Sequence, residues 1–125
     1  YFIKALPDVY GADPARIYLL GFSQGAAAAF ALAINHPELV QGIACLVGFV
    51  PEDVDAAVQE QVLKDLPVFM AIGREDNRVP LKHAQKSAQI LEQMNVNLTV
   101  REYDTGHKLN GAGMRDLAAW WAEQS

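Results

Sequence analysis

With one cysteine in 125 residues, Cys45, the chain can form no internal disulfide. That cysteine sits in the apolar run Gly42–Gly48, which makes it a small buried hydrophobe rather than a reactive thiol and gives a cytoplasmic redox reading. Basic residues are also scarce, 10 Lys and Arg against 15 Asp and Glu, for a net charge of −5. This balance argues against nucleic acid or an anionic membrane surface as the main partner. There is no apolar run of about 18 residues or more, so no membrane-spanning helix is expected, and no basic and then apolar leader opens the chain. Neither G-x-G-x-x-G nor G-x-x-x-x-G-K-[ST] occurs, which removes the usual glycine cradles for nucleotide phosphates. Repeats, low-complexity tracts and interdomain linkers are missing too, so residues 1–125 read as a single domain.

What is present is 51% hydrophobic and strongly patterned. Four strand-like runs cover Arg16–Leu20, Gly42–Val47, Pro67–Ile72 and Asn97–Tyr103. Three are nearly continuous in apolar residues, as strands covered on both faces should be. The fourth alternates Leu98 and Val100 with Thr99 and Arg101, which suits an edge strand. Between them lie helical patterns: the alanine-rich Gln24–Asn35, a stripe of Leu81, Ala84, Ala88 and Leu91 after Pro80, and a stripe of Met114, Leu117, Ala118 and Trp121 after a capping Asn110. On that reading Trp121 packs inward and its neighbour Trp120 is half exposed. Pro51–Asp65 is open between a loose helix and a loop, and its five carboxylates read as a solvated face. Strands alternating with helices predict βαβ units and an α/β fold, a parallel sheet of about four strands flanked by helices.

The chemistry concentrates at Gly21-Phe22-Ser23-Gln24-Gly25, a G-x-S-x-G between the first strand and the first helix. This pattern holds a nucleophilic serine on a sharp strand-to-helix turn. Gly21 and Gly25 are expected to approach each other too closely for a Cβ. In a parallel sheet all strand C-termini share one edge, where ligands bind. After the third strand come Gly73-Arg74-Glu75-Asp76, and after the fourth Asp104-Thr105-Gly106-His107. Ser23, Asp76 and His107 thus reach one edge as nucleophile, acid and base, with Asp76 preferred over Glu75 and Asp104. His36 stands at a helix end before Pro37, and His83 in the first turns of a helix facing solvent. The backbone N–H of Gln24, at the start of its helix, is the candidate oxyanion donor. Such a site needs neither a metal nor an organic cofactor. Phe49 and Val50 are candidates to line an acyl pocket, with core packing the stronger reading.

Taken together, Gly21-Phe22-Ser23-Gln24-Gly25-Ala26, Gly73…Asp76…Val79-Pro80 and Tyr103…Gly106-His107 resemble the phospholipase/carboxylesterase family of α/β-hydrolases, which includes the acyl-protein thioesterases. Tyr10–Ile17 and His36-Pro37-Glu38 are similar as well. The resemblance implies a serine hydrolase of carboxylic esters, lysophospholipids or thioesters acting on a small-molecule or lipid acyl ester, with Ser23, Asp76 and His107 in the three roles. A non-catalytic binding module on the same scaffold, or a dienelactone-hydrolase-like enzyme, is the alternative; oligomeric state, a homodimer included, is open.

The similarity starts just before the nucleophile strand, and Phe2–Leu6 reads as the end of a helix. The chain is therefore expected to be the C-terminal half of a hydrolase, N-terminally truncated, with the second oxyanion donor on a loop of the other half. Losing one such donor costs about 10²–10³ in rate. Residues 1–125 alone are expected to be weak or inactive where a longer chain turns over; equal turnover by both lengths would sink that expectation.

Overall fold

The computed structural model describes residues 17–124. The helix end expected at Phe2–Leu6, the similar stretch Tyr10–Arg16 and the start of the first strand at Arg16 lie outside those residues. Four strands alternate with helices: β1 (Ile17–Phe22), α1 (Gln24–Asn35), β2 (Val40–Leu46), α2 (Asp55–Glu60), β3 (Pro67–Gly73), α3 (Leu81–Gln93), β4 (Asn97–Tyr103) and α4 (Gly111–Glu123). A short 3₁₀ turn at Pro37–Leu39 joins α1 to β2. The sheet order is β1-β2-β3-β4 and every pairing is parallel, with Gly21 opposite Cys45, Cys45 opposite Met70 and Met70 opposite Val100. The expected parallel sheet is the observed one, with β4 at an edge as its alternation suggested.

Side chains alternate across a strand, so β2, β3 and β4 feed two cores. On one face Ile43, Cys45, Val68, Met70 and Ile72 pack with Phe30 of α1 and with Ala84, Ala88 and Leu91 of α3. On the other, Ala44, Leu46, Phe69, Ala71 and Tyr103 pack with Trp120 of α4. The expected α3 stripe holds, with one addition: Ser87 is buried beside it and its Oγ accepts from the Val50 N–H at 3.0 Å. Pro51–Asp65 resolves as loop plus the six-residue α2, and its five carboxylates are exposed.

Two expectations need correction. In α4 the buried face runs through Gly113 and Trp120, while Met114 and Trp121 are exposed and so is Ala118. In this phase Trp120 is buried in the second core and Asp116 accepts the Tyr103 hydroxyl at 2.7 Å. Trp120 then stacks near Phe69, and Trp121 lies edge-on to Tyr18 of β1. Burial, together with the Asp116 acceptor, raises the Tyr103 pKa and keeps its proton in place. α4 covers β3 and β4, which leaves Leu20 and Phe22 exposed on the same face of β1.

The second correction concerns the elbow glycines. A Cβ on Gly21 would fall 2.5 Å from the Ala26 backbone and the Gly25 carbonyl, but one on Gly25 would meet nothing within 4 Å. Only Gly21 is required by close approach, since Gly25 is already a turn into α1 with its free side open. Gly21→Ala is therefore expected to cost about 1–3 kcal/mol through backbone displacement, whereas Gly25→Ala gains about 0.5–1 kcal/mol of helix propensity. Urea unfolding midpoints of the two variants check this, and equal shifts would contradict it.

Candidate active site

Ser23 sits between β1 and α1 with φ 56° and ψ −120°, a left-handed conformation rarely adopted by a residue with a Cβ. Its own N–H donates to the Leu46 carbonyl at 3.0 Å, which ties the turn to the end of β2. The next residue of β2's exit, Val47, also has positive φ, 45°, and its N–H is held by the Ala71 carbonyl at 2.9 Å. Two strained residues thus stand side by side where the serine emerges. Gln24 opens α1, so its N–H has no acceptor one turn back and points out of the helix start with the dipole behind it.

The acid and the histidine come from the next two strand exits, and backbone bonds stitch those exits together. Arg74 N–H donates to the Tyr103 carbonyl at 2.9 Å and Glu75 N–H to the Thr105 carbonyl at 3.0 Å. A Cβ on Gly73 would collide with the Gly106 carbonyl, so at that point the two loops meet backbone to backbone. At the surface Arg74 adds bonds to Asp104 at 2.9 Å and Glu102 at 3.3 Å.

This stitching sets Asp76 Oδ2 2.7 Å from His107 Nδ1, and His107 Nε2 2.9 Å from Ser23 Oγ. All three residues proposed from the sequence are brought together. The rejected acids are elsewhere: Asp104 is exposed and paired with Arg74, and Glu75 is exposed. His36 lies at the end of α1, 3.8 Å from Glu38, and takes no part. Among the described residues no cluster of three His, Cys, Asp or Glu side chains is placed to hold a metal.

Asp76 is only 7% exposed. Burial by itself would raise its pKa. The Val79 N–H at 3.0 Å, the His107 ring and the Arg78 N–H at 2.8 Å outweigh that and hold the carboxyl below its ordinary value of 3.8. An ionised Asp76 has no proton to give, so Nδ1 of His107 donates to it and Nε2 is left to accept from the serine hydroxyl. Phe22 packs edge-on against the imidazole, with ring centroids 5.4 Å apart.

A cavity of about 580 Å³ opens beside Ser23, lined by Phe22, Gln24, Phe49, Arg78, Val79 and His83. Phe49 lines it, while Val50 is core. Arg78 and His83 went unassigned in the sequence, where one reads as a turn residue and the other as a surface histidine. The spacing of Arg78 two residues after Asp76 is the signal that could have placed it here.

The sequence profile of the Phospholipase/Carboxylesterase family matches residues 5–123. The chain belongs to that family. Among its relatives is acyl-protein thioesterase 1 of Kluyveromyces lactis, 35% identical over 86 residues, or 66% of this chain and 37% of that one. Another is a rice (Oryza sativa subsp. japonica) protein named a probable inactive carboxylesterase, 28% identical over 116 residues, covering 91% and 47%. In fold, the carboxylesterase of Bacillus cereus superposes with a TM-score of 0.84 at 23% identity, over 99% of this chain and 57% of its own. The sheet and helices are thus those of an α/β-hydrolase of this family. The chain spans less than half the length of the curated relatives it matches.

The carboxylate geometry has a pH consequence. A depressed folded-state pKa contributes stability that is fully present above the ordinary value and is lost as pH falls below about 4, toward the folded-state value. Asp76→Asn, which cannot gain from ionisation, should be less stable than the wild type at pH 7, with the gap closing on acidification below pH ~4. Urea titrations of both proteins across that range measure it; a gap that widens in acid would contradict the assignment.

Proposed function

We propose that the protein is a serine hydrolase of carboxylic esters or thioesters working through an acyl-serine intermediate. The observation that carries this reading is the unbroken relay from Asp76 through both ring nitrogens of His107 to Ser23 Oγ, at 2.7 and 2.9 Å, on a strained turn. Family membership supports ester hydrolysis as the reaction class.

In this mechanism Ser23 Oγ attacks the acyl carbon while its proton passes to His107 Nε2. Charge growing on the carbonyl oxygen is met by the Gln24 N–H. Asp76 keeps the ring in the donating-Nδ1 tautomer and stabilises the imidazolium. The bond from acyl carbon to the leaving oxygen or sulfur then breaks, and the imidazolium returns its proton to that atom. Water attacks the acyl-serine with His107 again as base, releasing the acid and restoring the hydroxyl. None of these steps calls on a metal or an organic cofactor. A cytoplasmic setting and a small-molecule or lipid acyl ester as substrate belong to the same proposal.

A fluorophosphonate probe should label the full-length protein at Ser23. Labelling is expected to vanish in Ser23→Ala and to fall by several orders of magnitude in His107→Ala. Asp76→Asn should lower kcat about 10⁴-fold, because the amide favours the wrong tautomer. Absence of labelling in the folded full-length protein would favour a scaffold that binds without catalysing.

A further inference from the structure

The cavity beside Ser23 is uneven in chemistry. Phe22 and Phe49 give it aromatic walls, Arg78 is its cation, and no carboxylate lines it among the described residues. Arg78 divides its groups between two tasks. Its main-chain N–H is spent on Asp76 Oδ1 at 2.8 Å, so the acid is held whatever side chain stands there. Its guanidinium pairs with no carboxylate among the described residues, whereas Arg74 on the same loop is committed to Glu102 and Asp104. A guanidinium without a carboxylate partner, on a residue that lines a cavity containing a nucleophile, is a rigid fork of donors matched to carboxylate or phosphate oxygens.

The surrounding charges say where an anion fits. Glu52, Asp53 and Asp55, against the single cation Lys86, line the adjoining cavity beyond His83 and leave it net negative. Negative charge is repelled on that side and accommodated at Arg78. An ester occupying the Ser23 cavity would set its apolar part against Phe22 and Phe49 and any anionic group against the guanidinium.

We propose that Arg78 is the specificity-determining residue of this cavity and selects esters that carry an anionic group over neutral esters of the same length. This rests on the esterase reading above and adds the substrate class to it. The anion can belong to the acyl chain or to the alcohol, and two substrate pairs separate these. Mono-p-nitrophenyl glutarate against p-nitrophenyl hexanoate tests the acyl side. 4-Acetoxybenzoate against its methyl ester tests the leaving group.

The readout is the anionic-to-neutral ratio of kcat/KM in the full-length protein, compared with Arg78→Gln and Arg78→Lys. In one of the two pairs the ratio should fall about tenfold in Arg78→Gln, mainly through KM. Arg78→Lys should restore part of it, and added salt should shrink it in the wild type. Circular dichroism establishes that both variants are folded. Ratios that do not change in either pair, with neutral esters still hydrolysed, overturn the role of Arg78 and leave the esterase standing. Failure to hydrolyse any of the four esters, together with no fluorophosphonate labelling of Ser23, overturns both.

Discussion

Between Gly21 and Ala26 the chain turns from strand into helix with no room for a single methyl group, and the position of the serine follows from that tightness. Because α1 lies so close to β1, Ser23 is forced to positive φ and its hydroxyl is lifted clear of the sheet edge. The same closeness aims the start of α1 at whatever binds there. Such strain costs on the order of 1–3 kcal/mol per residue. It is offset by the packing directly beneath, where Phe30, Ile43 and Met70 are fully buried and each contributes about 1.5–3 kcal/mol by leaving water. The elbow is thus held in a costly shape by a core that gains more than the shape loses.

A second constraint meets the first at His107. The exits of β3 and β4 are joined through backbone amides and carbonyls, so the acid and the imidazole behave as one rigid unit set against the serine. Asp76 illustrates how a buried charge is tolerated: Oδ1 accepts two main-chain N–H groups and Oδ2 the histidine, which leaves little of the carboxylate unsatisfied. Neither Glu75 nor Asp104 has such a shell, and each remains at the surface. The geometry selects the acid by solvation as much as by distance.

Much of this was legible in the chain. Continuous apolar runs mark strands covered on both sides, and β4 and α1 fall where their patterns put them. The three reacting residues were readable because parallel topology sends every strand exit to one edge, whatever the details of packing. What escaped depended on partners distant in sequence. The phase of α4 goes with the burial of Trp120 beside Phe69 and the bond from Tyr103 to Asp116, and a helix with apolar residues on two adjoining faces does not reveal it. Gly25 looked as constrained as Gly21 because the pentapeptide is symmetric and the close approach is not. Arg78 lay hidden because a residue's main chain and side chain can serve different ends, and a one-letter pattern shows neither.

Cys45 stands opposite Gly21 in the register of β1 and β2, wholly buried, with its thiol pushed up to about 12 by burial. At neutral pH burial keeps the thiol protonated, and the side chains packed over that face of the sheet shield the sulfur from solvent. Alkylation of this thiol must therefore wait for that face to be uncovered, and α1, whose Ala26, Ala29 and Phe30 pack in the same cluster, is the helix that begins at the serine turn. The protein carries its own gauge of local opening. The rate at which a thiol reagent reacts with Cys45 under native conditions reports how often the nucleophile's support comes apart, and residues 1–125 hold no second cysteine.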